Sequence, residues 1–358
     1  MNSKLLNRSE VIFMVFGSML GVGVLSLPNE AVKITYEDAW ISVAVGGLYP
    51  IYLTAIVTYL VRKFPNDNVL VLSKRYFGKY LGNVFNIIFF SYFFILSAEL
   101  VSGYNNLIRT FVEGFLNSYK IVVVFVLLVA YAACKGMKVL GKISVIIFYI
   151  SVMIFLTPLP ALKAGSIDNV LPIGKSGIYN ILLGSKTTVF AYTGIETIFI
   201  IYPYVKEKKS FIKDVFIGAF ITIFIYAWVT FISIYYLGVD IVVKNYWPFL
   251  TVTESVTISF VNNFRYIFMF LWTLSVFKAT SNDYYMSINI LNFYFKKRNM
   301  KIISFALAPI LYIISLKLSN IIERGNFVAK ISLYYLIFNI VGLTMLAVII
   351  FLKEGFRK

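Results

Sequence analysis

Two short stretches, almost half the chain apart, place glycine and polar residues inside long apolar runs. The first reads GVGVL at residues 21–25, and the second reads YTGIE at residues 192–196. An unpaired backbone N–H or C=O inside a bilayer costs several kcal/mol, so a membrane helix is interrupted only where the freed groups face protein, water or a ligand. Free N–H groups at the first stretch would attract a carboxylate, and freed carbonyls at the second would accept from an ammonium. Together the stretches predict a site for a small zwitterion such as an amino acid.

The predicted ligand contacts are the ten residues of these two stretches. They are Gly21, Val22, Gly23, Val24 and Leu25 in the first, and Tyr192, Thr193, Gly194, Ile195 and Glu196 in the second. Two plainer interpretations stay open. Gly17 and Gly21 form a GxxxG pattern, which is typical of close helix packing, and Tyr192 and Thr193 are suited to ordinary hydrogen bonds between helices.

Four ionisable residues fall well inside apolar runs: Glu99, Glu196, Lys278 and Asp283. Charges at such depth are costly, and they usually face a partner or a water-filled cavity. Lys278 either supplies a fixed positive charge where a sodium-driven relative would bind its ion, or pairs with Glu99 or Glu196. Asp283 follows Lys278 by five residues and points roughly 140° away on an α-helix, so these two are not expected to pair. The pattern allows a charge relay through Glu99, Lys278 and Asp283 without requiring one.

The composition places these residues in a bilayer. Of the 358 residues, 60% are hydrophobic and 14% are charged, which no soluble globular domain of this size accommodates. Apolar stretches of roughly 20 residues, the length that spans the hydrocarbon, recur about ten times. The predicted spans are 9–33, 39–61, 83–108, 120–137, 142–162, 179–205, 211–238, 262–292, 301–318 and 328–352. A single integral membrane domain covering residues 1–358 is expected.

The basic charge of the chain follows its topology. The formal net charge is +17, and with the N-terminus inside, the inner segments carry about twice as many Lys and Arg residues as the outer ones. The positive-inside rule therefore puts both termini in the cytoplasm, and nucleic acid is not an expected partner. The chain has no histidine and one cysteine, Cys134, which excludes internal disulfides, histidine-ligated zinc and histidine-based triads. We expect no catalytic residue, no metal and no cofactor, and the protein is not predicted to be an enzyme.

The two unusual stretches also indicate an internal repeat. Gly21 and Pro28 precede Gly194 and Pro203 by 173 and 175 residues, close to half the chain. Five spans per copy is an odd number, so the second copy enters the membrane from the opposite side and the repeat is inverted. The first copy would cover about 9–162 and the second about 179–352.

A succession of motifs resembles the spore germination permease family. In chain order the motifs are GVGVLSLP at 21–28, DAWISV at 38–43, YFGKYLG at 76–82, LPIG at 171–174, YTGIE at 192–196 and FLWT at 270–273. Each motif is weak alone, and the specificity lies in their order over nearly the whole chain. Residues 262–265 read NNFR and depart from the family, because many relatives carry an acidic-basic-aromatic-acidic run before the tryptophan of the eighth span.

The resemblance implies both a fold and a role. The family is similar to amino acid/polyamine/organocation transporters, which implies an all-α polytopic membrane protein of ten transmembrane helices in a LeuT-like 5+5 inverted repeat, with helices one and six broken. It also implies a receptor B subunit in the inner membrane of an endospore, assembled with an A-type membrane subunit and a C-type lipoprotein subunit. Such a subunit binds a small germinant, commonly an amino acid, and signals to its partners to start germination. A proton-coupled amino acid transporter on the same scaffold is the alternative, and the sequence does not separate the two.

Overall fold

The computed structural model describes residues 5–112, 117–254, 264–295 and 299–355. Within these ranges the backbone is helical apart from turns, loops and one isolated bridge between Leu6 and Val205. The predicted all-α class is therefore confirmed. Asn262 and Asn263, which begin the predicted eighth span, lie outside the described residues.

Sixteen α-helices fall within the described ranges. The first eight are α1 Arg8–Met19, α2 Leu27–Thr35, α3 Ala39–Gly46, α4 Leu48–Lys63, α5 Val69–Tyr76, α6 Gly78–Phe111, α7 Ser118–Cys134 and α8 Met137–Leu156. The other eight are α9 Gly177–Thr188, α10 Ile198–Ile201, α11 Phe211–Leu237, α12 Val239–Lys244, α13 Pro248–Glu254, α14 Phe264–Tyr294, α15 Met300–Lys317 and α16 Ile321–Gly355.

Many of these helices are long and apolar enough to cross a bilayer. Among the described residues, six segments meet both conditions: Leu27–Lys63, Gly78–Phe111, Met137–Lys163, Phe211–Leu237, Met300–Lys317 and Lys330–Glu354. Two further apolar segments, Ser118–Cys134 and Ile195–Tyr204, are shorter. Helices satisfy their own backbone groups, as the hydrocarbon requires. The chain is thus a multi-pass membrane protein.

The first and sixth predicted spans are both interrupted. In the first, α1 ends at Met19 and α2 begins at Leu27. In the sixth, α9 ends at Thr188 and α10 begins at Ile198. The second predicted span, 39–61, is divided into α3 and α4 but continues with a gap of one residue. The long interruptions therefore coincide with the two glycine-containing stretches.

A short helix, α5, lies between α4 and α6, where the chain mixes apolar and basic residues. The sequence predicts a helix lying on the inner membrane surface here. Asn68 caps α5, because its side chain accepts from the Val71 N–H at 3.2 Å, and Asn86 of α6 donates to the Leu70 carbonyl at 3.1 Å. The helix is present, and its apolar face is buried against α6.

The helix α1 lies inside the bundle, against α8, α11 and α14. Two ion pairs hold its first turn. Arg8 Nη2 lies 3.0 Å from Asp214 Oδ1 of α11, and Lys138 Nζ of α8 lies 2.7 Å from Glu10 Oε2. The half of the first interrupted span that precedes the break is therefore fixed to two neighbouring helices.

Candidate ligand-binding site

The first interruption leaves open space beside the backbone. After an extended residue at Gly21, the chain makes a short 3-10 turn at Val22–Leu25. Pro28 follows in the first turn of α2, where its missing N–H leaves no helical bond unmade. A Cβ at Gly21 would lie 2.7 Å from Leu100 Cδ2, whereas one at Gly23 would meet nothing within 4 Å. Gly23 therefore borders open space, and Gly21 permits close packing.

At Gly194 the second interruption contacts the end of α1, next to the first interruption. Its φ of 102° lies in the left-handed region, and an added Cβ would lie 2.1 Å from the Ser18 carbonyl oxygen. Glycine satisfies both constraints, since it tolerates positive φ and has no side chain. The preceding residue, Thr193, is extended. The end of α1 is thus in direct contact with the break in the sixth predicted span.

Glu196 joins the second interruption to three helices. Its side chain is fully buried, and its carboxylate accepts from Tyr49 Oη, Tyr92 Oη, Asn339 Nδ2 and the Gly194 N–H. The last three distances are 2.6, 2.7 and 2.9 Å. Tyr49 belongs to α4, Tyr92 to α6 and Asn339 to α16. Four donors satisfy this buried carboxylate, so Glu196 links the second interruption to α4, α6 and α16 by hydrogen bonds.

A cavity of about 610 Å³ lies where the two interruptions meet. Its volume is typical of small-molecule sites, which range over about 300–1,000 Å³. Gly21, Gly23 and Val24 line it from the first interruption, and Thr193 lines it from the second. Ser18 and Met19, at the end of α1, also border it. The two stretches singled out by sequence therefore share one cavity.

The other six predicted contacts do not line the cavity. The side chains of Val22, Leu25, Tyr192 and Ile195 are buried in the core, and Tyr192 Oη donates to the Val43 carbonyl at 2.7 Å. Gly194 and Glu196 hold the interruptions together through the contacts described above. The structure thus places all ten residues in one region, and four of them border the cavity.

Several wall residues were missed by the sequence argument. Tyr226 of α11 borders the cavity, and its Oη donates to the Met19 carbonyl at 2.6 Å, which satisfies the end of α1. Glu30 and Lys33 of α2 and Arg324 of α16 also line the cavity. Charges at the end of the first predicted span were an available signal for Glu30 and Lys33. Nothing in the sequence distinguishes Tyr226 from the other tyrosines.

Two of the ionisable residues predicted inside spans, Glu99 and Asp283, line the cavity. Glu99 interacts electrostatically with Arg324. Asp283 is fully buried, and neither of its carboxylate oxygens has a hydrogen-bond partner among the described residues. The cavity wall therefore includes one carboxylate that the described part of the chain leaves unsatisfied.

Lys278 lies outside the cavity wall, in a notch opposite Gly17. A Cβ at Gly17 would lie 2.2 Å from Lys278 Nζ, and this ammonium sits 5.0 Å from the centre of the Phe16 ring, a cation–π arrangement. Within the described ranges, Lys278 Nζ has no hydrogen-bond partner, and it forms neither ion pair considered above, with Glu99 or with Glu196. Gly17 thus makes room for a lysine, whereas the GxxxG interpretation expects a neighbouring helix backbone.

The cavity runs from the break along α2. Ser18 and Met19 border it at the end of α1. The two ion pairs fix the other end of that helix, at its first turn. Lys33 and Ile34, near the end of α2, line the cavity far from the break, together with Tyr246. One end of the cavity therefore lies at the end of α1, and the other carries charged and aromatic side chains.

The chain has sequence relatives that cover most of its length. A family model described as "Spore germination protein" matches residues 5–324. Spore germination protein YndE of Bacillus subtilis strain 168 is 28% identical over 357 residues, which cover 98% of each chain. Spore germination protein GerQB of Bacillus cereus is 22% identical over 76% of this chain and 75% of its own length. Spore germination protein KB of Bacillus subtilis strain 168 is 23% identical, with coverage of 88% and 86%.

Two solved structures have a similar fold. MhsT in complex with L-phenylalanine superposes with a TM-score of 0.67 at 13% identity, over 97% of this chain and 89% of MhsT. Mhp1, a nucleobase-cation-symport-1 family transporter in a closed conformation with bromovinylhydantoin bound, gives a TM-score of 0.64 at 12% identity, over 90% of this chain and 74% of Mhp1. At these identities the similarity shows the fold, which is LeuT-like.

Proposed function

This chain belongs to the spore germination protein family, and from that premise we propose that it is the ligand-binding B subunit of an endospore germinant receptor. The subunit binds a small germinant, such as an amino acid, in the cavity between the two interruptions. Occupancy favours one arrangement of the interrupted helices, and partner subunits respond to that arrangement. A ligand shifts such an equilibrium only by the difference in its affinity for the two arrangements.

The cavity shared by the two interruptions carries the proposal. Gly21 and Gly23 bring bare backbone to its wall, and Thr193 faces it from the other side. Bare backbone lets a ligand approach main-chain N–H groups, which attract a carboxylate. In this proposal Gly21, Gly23, Val24 and Thr193 contact the germinant. The remaining six predicted contacts hold those four in place.

We further propose ten membrane-spanning segments arranged as two inverted repeats of five, about 9–162 and 179–352, within one domain. The long interruptions in the first and sixth predicted spans support this arrangement, because each occupies the first position of its repeat. An inverted repeat with a broken helix in each copy is a recurrent transporter design, in which the ligand lies near the bilayer midplane.

The proposed setting is the inner membrane of an endospore, with both termini in the cytoplasm. In that orientation α2 leads outward from the break, so the cavity is reached from the outer face and closed on the inner face. The exposed apolar residues of the long helices face lipid. The proposed protein partners are an A-type membrane subunit and a C-type lipoprotein subunit.

A proton-coupled amino acid transporter is the second candidate, and the folds shared with MhsT and Mhp1 favour it. A transporter opens the inner end of its cavity once per cycle. In the proposed transporter, opening moves α1 away from α8 and α11 and therefore breaks the Arg8–Asp214 and Glu10–Lys138 pairs. A sensor can keep both pairs intact while it responds to ligand.

Purified protein in liposomes separates the two candidates. We expect saturable binding of at least one labelled L-amino acid without uptake under an inward pH gradient, and loss of that binding in Gly23→Leu. Uptake driven by the gradient would instead establish the transporter. Spores that lack the protein should no longer germinate in response to the amino acid that binds. Absence of binding for every L-amino acid tested in liposomes would refute the proposed site.

A further inference from the structure

Among the described residues, five acidic or basic side chains line the cavity: Glu30, Lys33, Glu99, Asp283 and Arg324. Three are acidic and two are basic, so with every group ionised the wall carries one excess negative charge. An uncompensated charge in a buried site is costly, and buried charges are normally paired. The position of the excess charge therefore indicates what the cavity is built to receive.

Four of the five charges have compensating neighbours among the described residues that line the cavity. Glu30 accepts a hydrogen bond from Ser26 Oγ at 3.2 Å and interacts electrostatically with Lys33 and Arg324. Glu99 also interacts with Arg324. Two carboxylates and two cations thus balance one another there.

Asp283 is the carboxylate left without compensation. It is fully buried, lines the cavity, and has no hydrogen-bond partner on either oxygen among the described residues. The ionisable groups that interact with it are Glu196 and Tyr92, and both are already hydrogen-bonded to each other at 2.6 Å. Neither supplies a positive charge.

Lys278 does not neutralise Asp283, although both belong to α14. Five residues of α-helix separate their directions by roughly 140°, and the lysine is seated in the notch at Gly17 outside the cavity wall. No cation among the described residues therefore compensates an ionised Asp283. The open cavity is the side from which a cation can arrive.

We infer, building on the proposed function, that the ligand carries one net positive charge, as a basic amino acid or a primary amine, and that its cationic group binds Asp283. A zwitterion adds no net charge to the cavity and leaves the excess negative charge in place. A cation removes it. Asp283 is in this view the specificity-determining residue that separates cationic ligands from neutral analogues of the same shape.

Matched pairs of probes test this inference on the full chain in nanodiscs. The pairs are L-lysine with L-norleucine, L-arginine with L-citrulline, and n-butylamine with 1-butanol. A charge-assisted hydrogen bond in a buried site is expected to favour the cationic member of at least one pair by about tenfold or more in Kd. Asp283→Asn should remove that preference, and Asp283→Glu should retain part of it.

Asp240→Asn is the matched control, because Asp240 is an exposed carboxylate in the first turn of α12 and its loss should leave every Kd unchanged. Equal affinity of wild-type protein for cationic and neutral members overturns the inference, even if Asp283→Asn fails to fold. Stabilisation of wild-type protein by NaCl over choline chloride without amine binding also overturns it, since the carboxylate then holds an inorganic cation. Binding of neutral amino acids alone would leave the proposed function standing while refuting the role of Asp283.

Discussion

Gly17 and Lys278 pack so closely that the effects of substituting them on the free energy of unfolding should be strongly coupled. A Cβ at Gly17 would lie 2.2, 2.3 and 2.9 Å from Nζ, Cε and Cδ of Lys278, whereas carbon atoms in contact are separated by about 3.5–4.0 Å. Gly17→Ala must therefore displace the lysine or move α1 away from α14. Overpacking of this kind costs about 1–3 kcal/mol of stability. We expect the upper half of that range, because the side chain of Lys278 is already enclosed.

Shortening the lysine should remove this cost. In a Lys278→Ala background the three obstructing atoms are absent, so Gly17→Ala should change stability by less than about 0.5 kcal/mol. The coupling energy between the two substitutions is then about 1.5–3 kcal/mol. Lys278→Met is expected to stabilise the fold, because it preserves much of the packing and no longer buries an ammonium without a partner among the described residues.

Thermal unfolding of the purified variants in detergent, followed by tryptophan fluorescence, measures these changes. Gly325→Ala is the matched control, because a Cβ at Gly325 of α16 meets no atom of the described residues within 4 Å. An equal loss of stability from Gly17→Ala in both backgrounds would refute the coupling. A loss in the wild-type background no larger than that of Gly325→Ala would refute the steric argument itself.

Substitutions at three further positions test the two interruptions. Gly194→Ala combines a positive φ with a Cβ 2.1 Å from the Ser18 carbonyl oxygen. We expect it to lower the free energy of unfolding by more than about 3 kcal/mol and to leave little protein in the membrane fraction. Near-normal accumulation of this variant would contradict the contact. Gly23→Leu should abolish ligand binding at normal protein levels, whereas Gly23→Ala should fold normally because its Cβ meets open space; retained binding in the leucine variant would remove the ligand from this cavity. Asn339→Leu deprives Glu196 of one donor at 2.7 Å and should lower the unfolding temperature through a loss of about 1–3 kcal/mol, and an unchanged temperature would show that this bond contributes nothing.

The positions of the interruptions were predictable because local chemistry alone determines them. Glycine and proline inside an apolar run weaken a helix wherever they occur, and the bilayer allows exposed backbone only beside protein, water or a ligand. Both predicted breaks are present in the structure. That local argument also identified Gly23 and Thr193, which line the cavity.

The direction in which each side chain points was not predictable from the sequence. Glu196 was predicted to contact ligand because it follows the second break, yet its carboxylate is taken by donors from α4, α6 and α16. Those donors lie more than 100 residues away along the chain, and no local pattern brings them together. The same long-range packing brings Tyr226 to the end of α1. It also places Lys278 in a notch, away from the two glutamates considered as its partners.

The ion pairs at the first turn of α1 have a kinetic consequence. In the proposed receptor, a ligand enters and leaves by the same opening while Arg8 remains bound to Asp214 and Glu10 to Lys138. Its residence time is then set by one dissociation rate, and affinity differences among related ligands arise chiefly in such rates. A slowly dissociating ligand would stay bound after its external concentration falls. The response would then depend on how long the protein is exposed to the ligand as well as on the ligand concentration.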